Sequence, residues 1–278
     1  IDSFNIKETF NYLKLKDALE FISDNAFTTS VTPVWNDPLF LNFRVMSDRT
    51  NNPIYSKMTR DIVNAFNDRL LDSKYNLINS CESIAKLPLS QFKGKVIIII
   101  DKFTYDILKT VCPQLNNCMN GMTITNDNDK NNNNDNNDKV ESNKKSLCDS
   151  DNLLEVLNMH SGSPFIHTFR VKDVLLSDTN ELKYQNKTVM TILLPNYSEN
   201  AKNFNPTIGL ASGCQFVGMS FQNFDNNLEY YSLFFNKAGH SFVLKPKNLR
   251  YIKVTIKNPS PYPEKTDLNR KPLIVTDG

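Results

Sequence analysis

The chain is 278 residues long, 40% apolar and 10% aromatic, which is enough for a sizeable core and excludes global disorder. Its 32 basic and 30 acidic residues leave a formal charge of +2, too balanced for a protein held to nucleic acid by overall charge. No apolar run reaches the roughly 20 residues that span a bilayer, and Ile1-Asp2-Ser3-Phe4 has neither the basic nor the apolar region of a signal peptide. The absence of an initial Met leaves open an origin inside a longer chain, so the start says nothing of compartment.

In chain order, Leu13, Leu15, Ala18, Leu19 and Ile22 form a helical stripe. Pro38 to Val45 is an apolar run of strand length. After Asn51-Asn52-Pro53, apolar residues recur at helical spacing from Ile54 to Leu70. Lys95 to Asp101 contains an unbroken β-branched run and predicts a strand buried on both faces, as in a parallel sheet covered by helices. From Asn126 to Lys145 the only apolar residue is Val140, and such a segment cannot offset its ordering entropy. It is expected to be a disordered insert, either a regulatory linker or a low-complexity expansion. Beyond it, Val189–Leu194, Gln215–Gln222 and Ser241–Leu244 are predicted strands. Both an α/β barrel cut by a linker and a two-layer α/β sandwich accommodate this order.

Chemistry-bearing patterns are sparse. The five cysteines (Cys81, Cys112, Cys118, Cys148 and Cys214) include no CxxC, which argues against a zinc ribbon or a disulfide framework. There is no GxGxxG and no P-loop. His160 and His167 flank Ser161-Gly162-Ser163, but a Ser/His hydrolase would need a nucleophile elbow, so a surface turn entering a strand is expected here. Asn186-Lys187-Thr188 and Asn196-Tyr197-Ser198 are glycosylation sequons that matter only in a secretory lumen. Lys245, Lys247, Arg250 and Lys253 cluster near the end of the second half. They read as a solvated face or as a contact with an anionic membrane.

Two stretches carry a more specific signal. One runs Asn203-Phe204-Asn205-Pro206, then Gly213-Cys214-Gln215 through Gln222, a glycine at Gly239, Phe242-Val243-Leu244-Lys245-Pro246, and Leu249-Arg250. This resembles the Y box of phosphoinositide-specific phospholipase C. The other runs from Leu15 to Phe27, with Thr29, Ser30 and Pro33, then Pro38 to Arg44, Leu87 to Ser90 and Phe92 to Lys95. It resembles the later part of that family's X box. The resemblance implies an α/β fold, a TIM-type (β/α) barrel incomplete in this chain and split by a disordered linker. The implied divisions are an X-box half-barrel over 1–110, a linker over 111–150, a Y-box half-barrel over 151–256, and a tail over 257–278 leading towards a C2 domain.

The family's chemistry uses two histidines and a calcium ion held by Asn, Glu and Asp oxygens. Only 14 residues precede Leu15, so the strands that would hold those histidines are expected upstream of Ile1. The third-strand calcium ligand falls on Arg44. The phosphate-binding lysines fall on Ile99 and Asp101, with Lys102 one position off. The substrate Ser falls near Thr168, and the Arg and Tyr of the RIYP run fall on Ile192 and Leu194. Polar groups are thus replaced by apolar or wrong-sign ones, and no catalytic or metal-binding residue is assigned. Arg44 either replaces the calcium as a fixed cation for one phosphate, or pairs with Asp101 and plugs the pocket. Trp35, Asn36 and Asp37 are read as lining the barrel mouth, or Trp35 as a packed aromatic. His240 is read as structural.

The expectation is a non-catalytic phospholipase C-like module. Its partners would be other subunits or the remainder of the same chain, and an anionic membrane surface, with no nucleic acid. It would be cytoplasmic, at or near a membrane, and would need no cofactor. The alternatives are an active calcium-dependent phosphoinositide phospholipase C with upstream histidines, and inositol-phosphate or phospholipid binding without turnover.

Overall fold

The computed structural model describes residues 12–30, 34–45, 54–77, 84–111, 153–197 and 202–252. The insert, the tail after Ile252, Pro33, Ser198, Lys253 and every cysteine except Cys214 lie outside them.

The β-branched run becomes strand β2, Val96–Ile100, with all five side chains buried. On one side it pairs in parallel with β1, Leu39–Phe43, and on the other with β3, Met159–His160. The helices of this half are α1 (Leu15–Ala26), α2 (Ile54–Phe66), α3 (Lys102–Val111) and α4 (Leu153–Val156). Because successive strand side chains alternate in direction, β2 serves two cores. Val96, Ile98 and Ile100 pack with Leu19, Met58, Ile62, Phe66, Leu108 and Leu157 from the helical layer. Each such burial is worth about 1.5–3 kcal/mol.

Ile97 and Ile99 face the other way and join a second cluster with Met159, Ile166 and Ile192. The last two come from a second parallel sheet. Its order is β4 (Ile166–Arg170), β5 (Met190–Leu194), β6 (Phe216–Val217). Its outer layer is α5 (Val171–Leu176), α6 (Thr179–Gln185) and α7 (Thr207–Ala211), packed on Leu193 and Val217. Helix α8, Asn226–Ala238, follows β6. The two sheets therefore share an apolar interior while each keeps its own helices outside. No ladder joins them, and no closed barrel is found among the described residues. The interior is completed by Phe40, whose ring lies 5.0 Å from that of Phe216 and 6.0 Å from that of Phe242. The mixed α/β class with parallel sheets agrees with the sequence reading.

Three expected elements differ. The predicted helix to Leu70 ends at Phe66, since Asn67 takes a φ of 31° and a short 3₁₀ turn follows. The predicted strand Gln215–Gln222 shrinks to Phe216–Val217, because the Asn203 side chain captures the Ser220 N–H at 2.5 Å and turns the backbone away. Ser241–Leu244 is not a strand. It is tied at one end by Ser241 N–H donating to Asp37 Oδ2 (3.3 Å), below β1. At the other end Lys245 Nζ donates to Asn186 O (2.7 Å), before β5. It thus runs beneath the strand entrances.

Helix α7 lies flat on its sheet because Gly209 offers no side chain. A Cβ there would meet Leu193 Cδ2 at 2.7 Å and Val217 Cγ2 at 2.8 Å. Gly209→Ala gains about 1 kcal/mol in helix propensity but overpacks the core at about 1–3 kcal/mol. A net loss is expected, seen as a lower urea midpoint; a higher midpoint would contradict this packing.

Candidate functional site

Parallel register carries the inward rows of both sheets to one end. Phe40, Asn42 and then Arg44 run alongside Ile97, Ile99 and then Asp101. Ile166, Thr168 and Arg170 run alongside Met190, Ile192 and Leu194. Arg44, Asp101, Arg170 and Leu194 therefore stand at the C-terminal ends of the strands, on the faces whose lower positions build the shared interior.

Arg44 Nε lies 3.1 Å from Asp101 Oδ2. The other carboxylate oxygen of Asp101 accepts from Thr104 N (2.9 Å) and Thr104 Oγ1 (2.6 Å), which caps α3. Thr104 Oγ1 in turn accepts from Val45 N at 2.9 Å, stitching the exit of β1 to the same turn. Arg44 Nη1 donates to the Tyr197 hydroxyl at 3.1 Å. The Arg170 guanidinium lies 3.8 Å from the centre of the Tyr197 ring, and its Nη1 donates to Pro195 O at 2.7 Å. Two cations thus converge on one phenol. The Arg44 hydrogen bond favours the phenolate and holds the Tyr197 hydroxyl below its usual value near 10, against the opposing effect of its partial burial.

The other sequence-derived positions separate by burial. Ile99 and Ile192 are buried in the interior, and Leu194 packs against the same cluster, so none offers a polar group. Thr168 is exposed on the inward row of β4. Lys102 opens α3, its N–H donating to Ser161 Oγ (3.2 Å) and its aliphatic stem lying over Gly162. Arg170 escaped the sequence reading, while Tyr197 entered it only inside a sequon and Ser161 only as a rejected nucleophile. Strand alternation from Thr168 reaches Arg170, whereas Tyr197 lies in a loop with no periodic signal.

The residues present do not fit a calcium ion. A guanidinium occupies the position of the expected carboxylate, and both oxygens of Asp101 are engaged. A dication beside Arg44 would be repelled by several kcal/mol even at an effective dielectric near 20. Among the described residues no group of three or more His, Cys, Asp or Glu could hold a metal.

Several other readings are corrected. The expected turn forms over 161–165 and enters β4, but His160 lies outside it. It is buried on β3, its ring stacked on Tyr105 at 3.6 Å and 4°, and its Nδ1 finds no partner among the described residues. Ser161 Oγ accepts from Lys102 N, and Ser163 Oγ from Phe165 N and Ile166 N, so neither serine pairs with a histidine. His167 Nδ1 contacts Gln185 Nε2 instead. His240 follows the left-handed cap Gly239 and is exposed. Trp35, Asn36 and Asp37 precede β1, at the end opposite the mouth. Asn186 is 1% exposed, which removes its sequon from any glycosylating enzyme once the chain is folded. Lys245 and Arg250 do not form a solvated patch, since Lys245 Nζ binds Asn186 O and Arg250 Nε binds Lys245 O.

The residues that carry the family resemblance in this half brace the backbone. Asn203 Nδ2 donates to Ser220 O and Asn223 O, and Asn203 N to Asp225 Oδ2. Gln215 Oε1 accepts from Thr191 N, and its Nε2 donates to Asn186 O. Burial lifts the Cys214 thiol to about 11, so it is no nucleophile at neutral pH.

Two predictions follow from these contacts. Asp101→Ala removes a helix cap and an ion pair and should cost about 1–2 kcal/mol. Arg44→Ala removes only a part-exposed pair and should cost under about 1 kcal/mol while returning Tyr197 towards its ordinary titration. Urea melts and ultraviolet titration of the phenol read both; the opposite order of stabilities would refute the arrangement. For His160, burial lowers the pKa from 6.5 to about 4, so the folded chain binds fewer protons than the unfolded one. Its contribution is intact above pH 6.5 and lost as pH falls towards 4. The loss is roughly 3 kcal/mol, with Asp106 and Lys109 of α3 acting in opposite directions. His160→Phe should flatten stability across that window; an unchanged slope would show that another group is responsible.

Residues 156–248 match the family described as phosphatidylinositol-specific phospholipase C, Y domain. No curated protein matches the chain. Among solved structures, L. pealei PLC21 is similar at 17% identity and a TM-score of 0.53, over 86% of this chain and 30% of that one. S. officinalis PLC21 is similar at 18% identity and a TM-score of 0.52, over 91% of this chain and 31% of that one. At such identities the likeness is one of fold, and the chain spans about a third of the length of these structures.

Proposed function

We propose that the chain supplies part of the wall of a TIM-type (β/α) barrel and acts as a non-catalytic structural or interaction module in a larger assembly. The observation that supports this reading is the Arg44–Asp101–Tyr197 cluster, in which a cation stands at the position the resemblance matches to a calcium ligand and an engaged carboxylate at one it matches to a phosphate-binding lysine. The shared interior of two parallel sheets is compatible with the barrel geometry, in which Ile97, Ile99, Ile166 and Ile192 meet inside while helices cover the outside. Further strands, from the remainder of the same polypeptide or from another subunit, complete the wall. Among the described residues no helix is long and apolar enough to cross a membrane. The setting proposed is the cytoplasm, at or near an anionic membrane surface, with no resident cofactor and no nucleic-acid partner.

A second reading is favoured by Arg170. Its guanidinium has no carboxylate partner at ion-pair distance among the described residues and stands beside exposed Thr168, so the mouth could bind an inositol phosphate without turnover.

Calcium-dependent release of inositol phosphates from phosphoinositide vesicles by the full-length protein tests both readings. No release above background is expected; turnover would overturn the non-catalytic reading and favour an active phospholipase C with histidines elsewhere. In the same preparation, saturable inositol trisphosphate binding below about 100 μM that is lost in Arg170→Met would establish the second reading.

A further inference from the structure

Away from the mouth, aromatic residues gather on the last turns of α8. Leu228 is the fully buried residue of this helix. Tyr231 and Phe235 are half-buried instead, and together with Phe221 from the loop after β6 they line an open surface hollow of about 260 Å³. Ser232, Asn236 and Ser241 complete its lining. The rings do not stack flat. Phe221 and Tyr231 stand at 84° with centroids 6.1 Å apart, and Tyr231 and Phe235 at 58° and 4.9 Å. Phe234 buttresses Phe235 at 88° and 5.1 Å. Rings set at wide angles leave a hollow between them that stays open to solvent.

The electrostatics of this space favour a cation. None of its lining residues carries a formal charge. The Asp37 carboxylate accepts from the backbone N–H of lining residue Ser241 at 3.3 Å and so adjoins the lining. The cavity also lies against the C-terminal turns of α8, the end at which a helix favours positive charge. Lys237 and His240 are exposed and do not line it. The volume is below the roughly 300–1,000 Å³ of a site for a whole drug-sized ligand, and suits a compact headgroup.

We propose that Phe221, Tyr231 and Phe235 form an aromatic cage for a quaternary ammonium group, with Asp37 supplying the counter-charge. A trimethylammonium has no N–H to donate, so it gains little from a carboxylate-lined pocket. It gains more from π faces backed by a nearby negative charge. The site is independent of the mouth and of the reading given there.

Calorimetric titration of the full-length protein with choline tests the cage against neohexanol, the neutral isostere with a tert-butyl group. Choline is expected to saturate in the millimolar range, about tenfold tighter than neohexanol. Tyr231→Leu and Phe221→Ala should each weaken choline about tenfold, and Asp37→Asn about threefold. Phe221 is 66% exposed, so its replacement keeps the fold and separates loss of the site from loss of structure. Co-sedimentation with phosphatidylcholine vesicles, but not with phosphatidylglycerol vesicles, reversed by free choline, would identify the lipid headgroup as the source. Choline binding without vesicle preference would identify free alkylammonium. Equal affinity for choline and neohexanol, or no saturation by choline at about 50 mM, would overturn the proposal.

Discussion

Strand β2 has no face to give to water, and the architecture on both sides of it follows from that constraint. Five consecutive β-branched side chains must all be covered. A parallel strand achieves this by sending alternate residues into two cores, one beneath helices and one shared with a second sheet. Ile98 and its neighbours fix the helices α1, α2 and α4, while Ile97 and Ile99 require another apolar surface opposite. The second sheet supplies it through Ile166 and Ile192. Removing the second sheet would expose those isoleucines, so the two sheets depend on each other although no strand of one bonds to a strand of the other.

The same alternation explains the mouth. Past the last ladder residue each inward row emerges from the core, and the next inward position must tolerate both the apolar layer below and solvent above. Arg44 and Asp101 occupy these positions, and Arg170, the last ladder residue of β4, ends its own row in the same way. A long arginine suits them because its stem packs while its guanidinium reaches a partner. Asp101 is held twice, once by Arg44 and once by the turn it caps, and this fixes where Arg44 can point. Tyr197 then fills the gap between the two guanidiniums. Each side chain of the cluster thus has a protein partner.

Much of this was legible in the sequence wherever burial imposed a period. The stripe from Leu15 and the run from Val96 each showed the spacing of the surface they cover, and Val189–Leu194 was displaced by only a residue from the strand that forms. The contact of Arg44 with Asp101 was one of two fates open to residues at matching ends of neighbouring strands. Where tertiary hydrogen bonds overrule propensity, the pattern misled. Phe242-Val243-Leu244 has strand composition but is stretched between Asp37 and Asn186, and Gln215–Gln222 is cut short by the Asn203 amide. Tyr197 and the two-residue strand Met159–His160 left no trace, one because loops have no period and the other because two residues are too few to show one.

The motifs that survive and the positions that changed belong to different physical categories. Asn203 and Gln215 each satisfy several backbone groups and Lys245 satisfies the Asn186 carbonyl, so replacing any of them strands partners that are partly or wholly buried, at about 1–3 kcal/mol for each orphaned group. Their identities are therefore constrained by folding alone, whatever the chain does. The mouth positions carry no such constraint, since a ligand-binding side chain at a solvent-facing strand end contributes little to stability. A chain that needs the scaffold but not cleavage would keep the first group and let the second drift towards whatever packs or pairs. Ile192 and Leu194 pack in the apolar interior and Arg44 is closed on Asp101, so each of these positions is held by packing or pairing within the chain.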